Sequence, residues 1–178
     1  APPLASTTNR LPILEAASRI LTAPSAAVSN SGTLTINANE TVDTYSQSAA
    51  LSVLNGTHTL TATNGATLNG GTIVGKLLGN TTSTGTVLVS GSIGGGFLSV
   101  TGGTLTLTGT STNNPVGISA GATLVDQNAG LISTADVTNA GTFTKSDLPA
   151  NIIFKKGGFQ TFTDSSSGQD IGVVQVSV

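Results

Sequence analysis

Gly102-Gly103-Thr104-Leu105-Thr106-Leu107-Thr108 places a glycine turn before a strict alternation of hydroxyl and leucine, the pattern of a half-buried β-strand. The same phrase, a threonine followed by an apolar residue, runs along the chain at Thr67-Leu68, Thr86-Val87, Thr104-Leu105, Thr123-Leu124, Thr142-Phe143 and Thr161-Phe162, in steps of 19, 18, 19, 19 and 19 residues. Thr33-Leu34 and Ala50-Leu51 extend the series upstream. A unit this short cannot bury its apolar side alone and has to stack on its neighbours. The chain therefore reads as all-β, a parallel β-helix or β-solenoid of about eight rungs, roughly 38 Å long at a strand spacing near 4.8 Å. Because side chains alternate along a strand, Leu34, Leu51, Leu68, Val87, Leu105, Leu124, Phe143 and Phe162 are expected to form one inward column.

Outward from this repeat the lettering changes at both ends. Residues 1–28 divide into a Pro, Ala, Ser and Thr arm and the segment Leu11–Leu21, where Pro12 suits a first helical turn and Leu14, Ala17 and Leu21 share a face. A short helix capping the first rung is expected there, with a mobile arm docking on another subunit as the competing reading. The solenoid is expected over 29–165, with turns at Asn64-Gly65, Asn69-Gly70-Gly71, Gly94-Gly95-Gly96 and Asn113-Asn114-Pro115. Residues 166–178 end on a strand with Val174, Val176 and Val178 alternating, which pairs within its own subunit or adds to a neighbour's sheet edge.

Charged residues are 8% of the 178, aromatics 3%, and the net charge is −2. Such a surface is wetted by hydroxyls and amides, and the regular Val, Ile and Leu argue against disorder. Six Lys and Arg, spread from Arg10 to Lys156, make no basic patch for nucleic acid. No apolar run reaches the roughly 20 residues of a membrane-spanning helix. Opening on Ala1-Pro2-Pro3 instead of Met, the chain has the look of a secreted, processed protein or a cloned fragment.

No catalytic, cofactor-binding or metal-binding residue is assigned. The acids Glu15, Glu40, Asp43, Asp126, Asp136, Asp147, Asp164 and Asp170 are scattered, and the repeat register aligns just Asp126 and Asp164, with Lys145 on the rung between them as an exposed charge ladder. His58 and Tyr45 are read as isolated surface residues, and Gly94-Gly95-Gly96 as a corner, since no Lys-Ser or Lys-Thr follows it. Asn39, Asn55 and Asn80 head glycosylation-type triplets that a chain this rich in Asn and Thr produces by chance. The outward register threonines, seven of the eight rungs, suit an ice-binding array, although Leu88 and Val125 interrupt the neighbouring column.

Thr101-Gly102-Gly103-Thr104-Leu105-Thr106-Leu107-Thr108-Gly109-Thr110, with Gly117-Ile118-Ser119-Ala120-Gly121-Ala122-Thr123-Leu124, resembles the autotransporter-associated β-strand repeat of bacterial passenger domains. Asn139-Ala140-Gly141-Thr142-Phe143-Thr144 is similar to the phrasing of large haemagglutinin-like adhesins. The Tyr-Thr-Gly-Gly element usual in that repeat is replaced here by Asn113-Asn114-Pro115-Val116-Gly117. The resemblance implies a right-handed parallel β-helix on a bacterial surface. The expected function is a non-catalytic, extracellular structural or adhesive solenoid, self-assembling or joined to another surface protein, with no cofactor. Glycan binding and ice binding are the alternatives, followed by a polysaccharide-cleaving β-helix enzyme.

Overall fold

Glycine-punctuated strands with one apolar side have to turn that side toward a shared interior, and the computed structural model shows three such sides facing one core. It describes residues 26–113, 115–127, 131–145, 152–155, 158–166 and 169–177. Among these residues there is no helix, and the chain winds as a β-solenoid of about seven turns in which every strand pairing is parallel. Of the N-terminal arm and capping helix expected over 1–28, residues 1–25 lie outside the described residues, whereas Ala27 and Val28 already belong to the first strand.

The first face stacks Ala27–Asn30, Thr44–Gln47, the opening halves of Ala66–Ile73 and Thr81–Val89, Leu98–Val100, Val116–Ile118, Val137–Asn139 and Phe162–Asp164. The second stacks Thr33–Ile36, Val53–Gly56, the closing halves of the same two long strands, Thr104–Leu107, Thr123–Asp126 and Thr142–Thr144. Because those two strands run through the corner, the first and second faces form one 13-stranded sheet. The third face is a separate eight-stranded sheet: Glu40–Val42, Thr59–Ala62, Lys76–Leu78, Ser92–Gly94, Thr110–Asn113, Leu131–Ser133, Ile152–Phe154 and Val174–Val176. The final valine strand thus pairs within its own chain, alongside Ile152–Phe154.

The stretch at Gly102 shows how a corner is made. Gly103 has φ 63 and lies directly on Gly85 of the turn before; a Cβ there would sit 2.4 Å from the Gly85 carbonyl carbon. Only a residue without a side chain makes that approach at no cost. Beyond it Leu105 and Leu107 point inward and are fully buried, while Thr104 and Thr106 stay partly exposed. Each such leucine contributes about 1.5–3 kcal/mol by leaving water.

The inward column differs from the one the repeat predicts. Val87, Leu105, Leu124 and Phe143 do stack in register on the second face. Leu34 stacks instead on Leu54, then Ile73, Val89 and Leu107. Leu68 and Phe162 belong to the first face, and Leu51 is 90% exposed at a bend where Ser52 takes the inward place. The physical reason is that turns differ in length: Thr72 pairs with Leu88, a step of 16, and Leu88 with Thr106, a step of 18. Since every face is built of threonine and apolar residues, the repeated lettering passes from one face to another without a change in its appearance. Asn69-Gly70-Gly71, expected as a turn, lies inside the long Ala66–Ile73 strand at a register shift between Leu68 and Gly70.

Candidate functional site

The acids do not converge. Asp126 is fully buried on the second face, opposite Leu107 in register, whereas Asp164 is exposed on the first face, where its Oδ1 accepts from Asn139 Nδ2 at 3.2 Å. They share no column. Lys145 reaches neither of them and pairs with Asp170 at 2.5 Å, which replaces the expected ladder. The Lys145 ammonium, with the Gly172 N–H, holds the Asp170 carboxyl below its ordinary range. Asp43 accepts from Asn64 Nδ2 at 2.5 Å, and Asp136 from the Thr161 N–H at 2.8 Å, so each ties one turn to the next. Glu15 and Asp147 lie outside the described residues. Glu40 is buried at the start of the third face, and His58 is exposed with its ring nitrogen 3.3 Å from the Thr57 hydroxyl. Among the described residues no three His, Cys, Asp or Glu side chains group as a metal site. Gly95 and Gly96 form the corner between the third and first faces.

Tyr45 is not a surface residue. It is fully buried on the first face, and burial pushes its phenol well above its ordinary range, an effect that the hydrogen bond from Asn30 opposes. Asn30 Nδ2 donates to the phenol oxygen at 3.0 Å, and the phenol donates to Gln47 Oε1 at 2.6 Å. Asn30 and Gln47 are neighbours in register, and both reach into the corner between the first and second faces. Asn30 donates to the Val53 carbonyl at 3.0 Å and accepts from the Gly32 N–H at 3.1 Å, while Gln47 donates to the Gly70 carbonyl at 2.9 Å. Asn139 repeats the device in the same column, accepting from the Gly141 N–H at 3.1 Å. These amides brace the corner by adding side-chain hydrogen bonds to its backbone. The phrase Asn-x-Gly, at Asn30-Ser31-Gly32 and Asn139-Ala140-Gly141, is the sequence signal for it.

Outside, the faces carry hydroxyls in columns. On the first face Ser29, Ser46, Thr67, Thr82, Ser99, Gly117, Thr138 and Thr163 follow one another in register. On the second face Thr86, Thr104, Thr123 and Thr142 stand above Gly70 in one column, and Thr72, Leu88, Thr106, Val125 and Thr144 form the next. Thr67, counted with the register threonines in the sequence, belongs to the first-face column, and Thr33 stands in the second column beside Val53.

The first-face column borders an open cleft of about 470 Å³. Its other wall is the corner between the third and first faces, where the carbonyls of Asn80, Phe97 and Pro115 accept from the N–H groups of Ala66, Thr81 and Leu98 at 2.7, 2.8 and 2.9 Å. Gly65 has φ 108 and no side chain, so the corner is notched beside Asn80. Asn64 and Asn80 flank the notch and Phe97, 37% exposed, closes one end of it.

No helix long and apolar enough to cross a membrane occurs among the described residues. Comparison with family models, curated proteins and solved structures returned no match to this chain.

Proposed function

We propose that this chain is a non-catalytic, extracellular structural element, a solenoid rod that associates end to end and presents neutral hydroxyl faces for adhesion. The observation that carries the reading is the outer edge of the Val174–Val176 strand. Among the described residues this strand pairs on one side alone, and Val174 and Val176 are 39% and 68% exposed. An unpaired apolar strand edge is a template for another chain unless charge or a covering segment blocks it. The low charge of the faces supports the same reading, since little repulsion opposes close packing of copies. The resemblance to secreted β-strand repeats supports the extracellular and bacterial-surface part of it.

The test is sedimentation velocity and electron microscopy of the full chain over a concentration series. Association that grows with concentration is expected for the native chain, and the Val174→Lys, Val176→Lys double variant is expected to stay monomeric with its fold unchanged. A native chain that remains monodisperse throughout overturns the self-assembling reading.

A further inference from the structure

We infer that the notch at Gly65 is the anchoring point of a binding site for a neutral, linear glycan that lies along the rod axis on the first face. This goes beyond the structural reading and does not rest on it. A rod that never assembles keeps the notch, and a notch that binds nothing leaves assembly untouched.

The argument starts from which polar atoms are already engaged. Asn80 Oδ1 accepts from the Phe97 N–H at 3.2 Å, which fixes the amide and leaves Nδ2 as a donor. Asn64 is the mirror case: its Nδ2 is held by Asp43, leaving Oδ1 as an acceptor. Ser46, Thr67 and Thr82 make no side-chain hydrogen bond to other described residues, so three hydroxyls in one column are available as donors and acceptors together. Phe97 adds an apolar ring face at the end of this polar strip.

That inventory selects the ligand chemistry. A cleft of about 470 Å³ falls in the size range of small-molecule sites, and its lining mixes the Ser46, Thr67 and Thr82 hydroxyls and the Asn64 and Asn80 amides with apolar surface at Ala66 and Phe97, which suits a molecule with both polar and apolar faces better than a wholly apolar one. An anion is disfavoured as well, because the charge bordering the cleft is the Asp43 carboxylate and no Lys or Arg lines it. A saccharide fits both halves, with its hydroxyls against the Ser and Thr column and the C–H face of one ring on Phe97. Successive hydroxyls in the column are separated by the strand spacing of about 4.8 Å, close to the advance per residue of an extended pyranose chain. The column continues past the notch to Ser99, so an extended glycan meets the same group at each step.

Titration of the ¹⁵N-labelled full chain with cellohexaose, chitohexaose and maltohexaose tests this. Cellohexaose or chitohexaose, which are extended, should shift the amides of Ser46, Asn64, Thr67, Asn80, Thr82 and Phe97 at millimolar concentration. Phe97→Ala should weaken binding by about tenfold, the worth of one good ring contact, and Phe97→Trp should preserve or strengthen it. Phe159→Ala, which removes a fully exposed ring elsewhere, should change nothing and keeps the comparison fair. The inference is overturned if neither extended sugar shifts these amides, if maltohexaose alone does so, or if Phe97→Ala binds as tightly as the native chain.

Discussion

Tyr45 sets the scale of what one side chain does here. Its hydroxyl is the middle of a chain of bonds from Asn30 to Gln47, and both amides go on to hold corner backbone of the second face. Replacing it by Phe keeps the ring and its packing but leaves Asn30 Nδ2 with one acceptor fewer and Gln47 Oε1 without its donor. A buried polar group that loses its partner costs about 1–3 kcal/mol, so Tyr45→Phe should lower the unfolding free energy by that much, seen as a lower urea midpoint with an unchanged slope. An unchanged midpoint would mean that water replaces the phenol and that the network is not closed. Nothing in the lettering marks Tyr45 as buried, because a single tyrosine among threonines reads the same whether it faces in or out. Asn30 was legible in principle, since an Asn two residues before a Gly is a side-chain-to-backbone turn signal wherever it occurs.

At the scale of elements, the second face shows how an exposed edge is closed without a further strand. Beyond Thr142–Thr144 the Gln169 side-chain amide accepts from the Phe143 N–H at 2.7 Å and donates to the Gly141 carbonyl at 2.5 Å, which are the two bonds a next strand would make. Lys145 and Asp170 pin the same segment from the side. Gln169→Ala should therefore speed hydrogen exchange at the Phe143 amide by at least about fivefold, the equivalent of a hydrogen bond near 1 kcal/mol, and leave Leu105 exchange as it was. Equal exchange in both proteins would show that the segment is held by something other than this amide. The strands themselves were readable from alternation: Thr104–Leu107, Thr123–Asp126 and Thr142–Thr144 fall where the repeat puts them. Their assignment to faces was not, because Thr67-Leu68 and Thr161-Phe162 carry the same two-residue phrase as the second face while sitting on the first. Asp126 misled for a related reason: a charge in an inward position suggests that the strand has turned, yet the strand continues and the carboxylate is buried.

For the molecule as a whole, each turn touches the turn above and the turn below, so its stability is close to a sum of neighbouring interfaces. An interior turn has two such interfaces and a terminal one has one. Native-state hydrogen exchange should grade accordingly, with the greatest protection over Thr81–Val89 and the least over Ala27–Asn30 and Val174–Val176. Uniform protection from end to end would show a single cooperative block instead. The gradient is not symmetrical, because Ala66–Ile73 and Thr81–Val89 each cross a corner without a break and so belong to two faces at once. Under a load applied to its two ends, such a rod unspools turn by turn from a tip, each turn of 18 residues between Leu88 and Thr106 paying out about 60 Å of chain. Unspooling stalls where two strands must be stripped from both faces together. The segment from Ala66 to Val89 is thus a splint, the last part of the molecule to yield under tension.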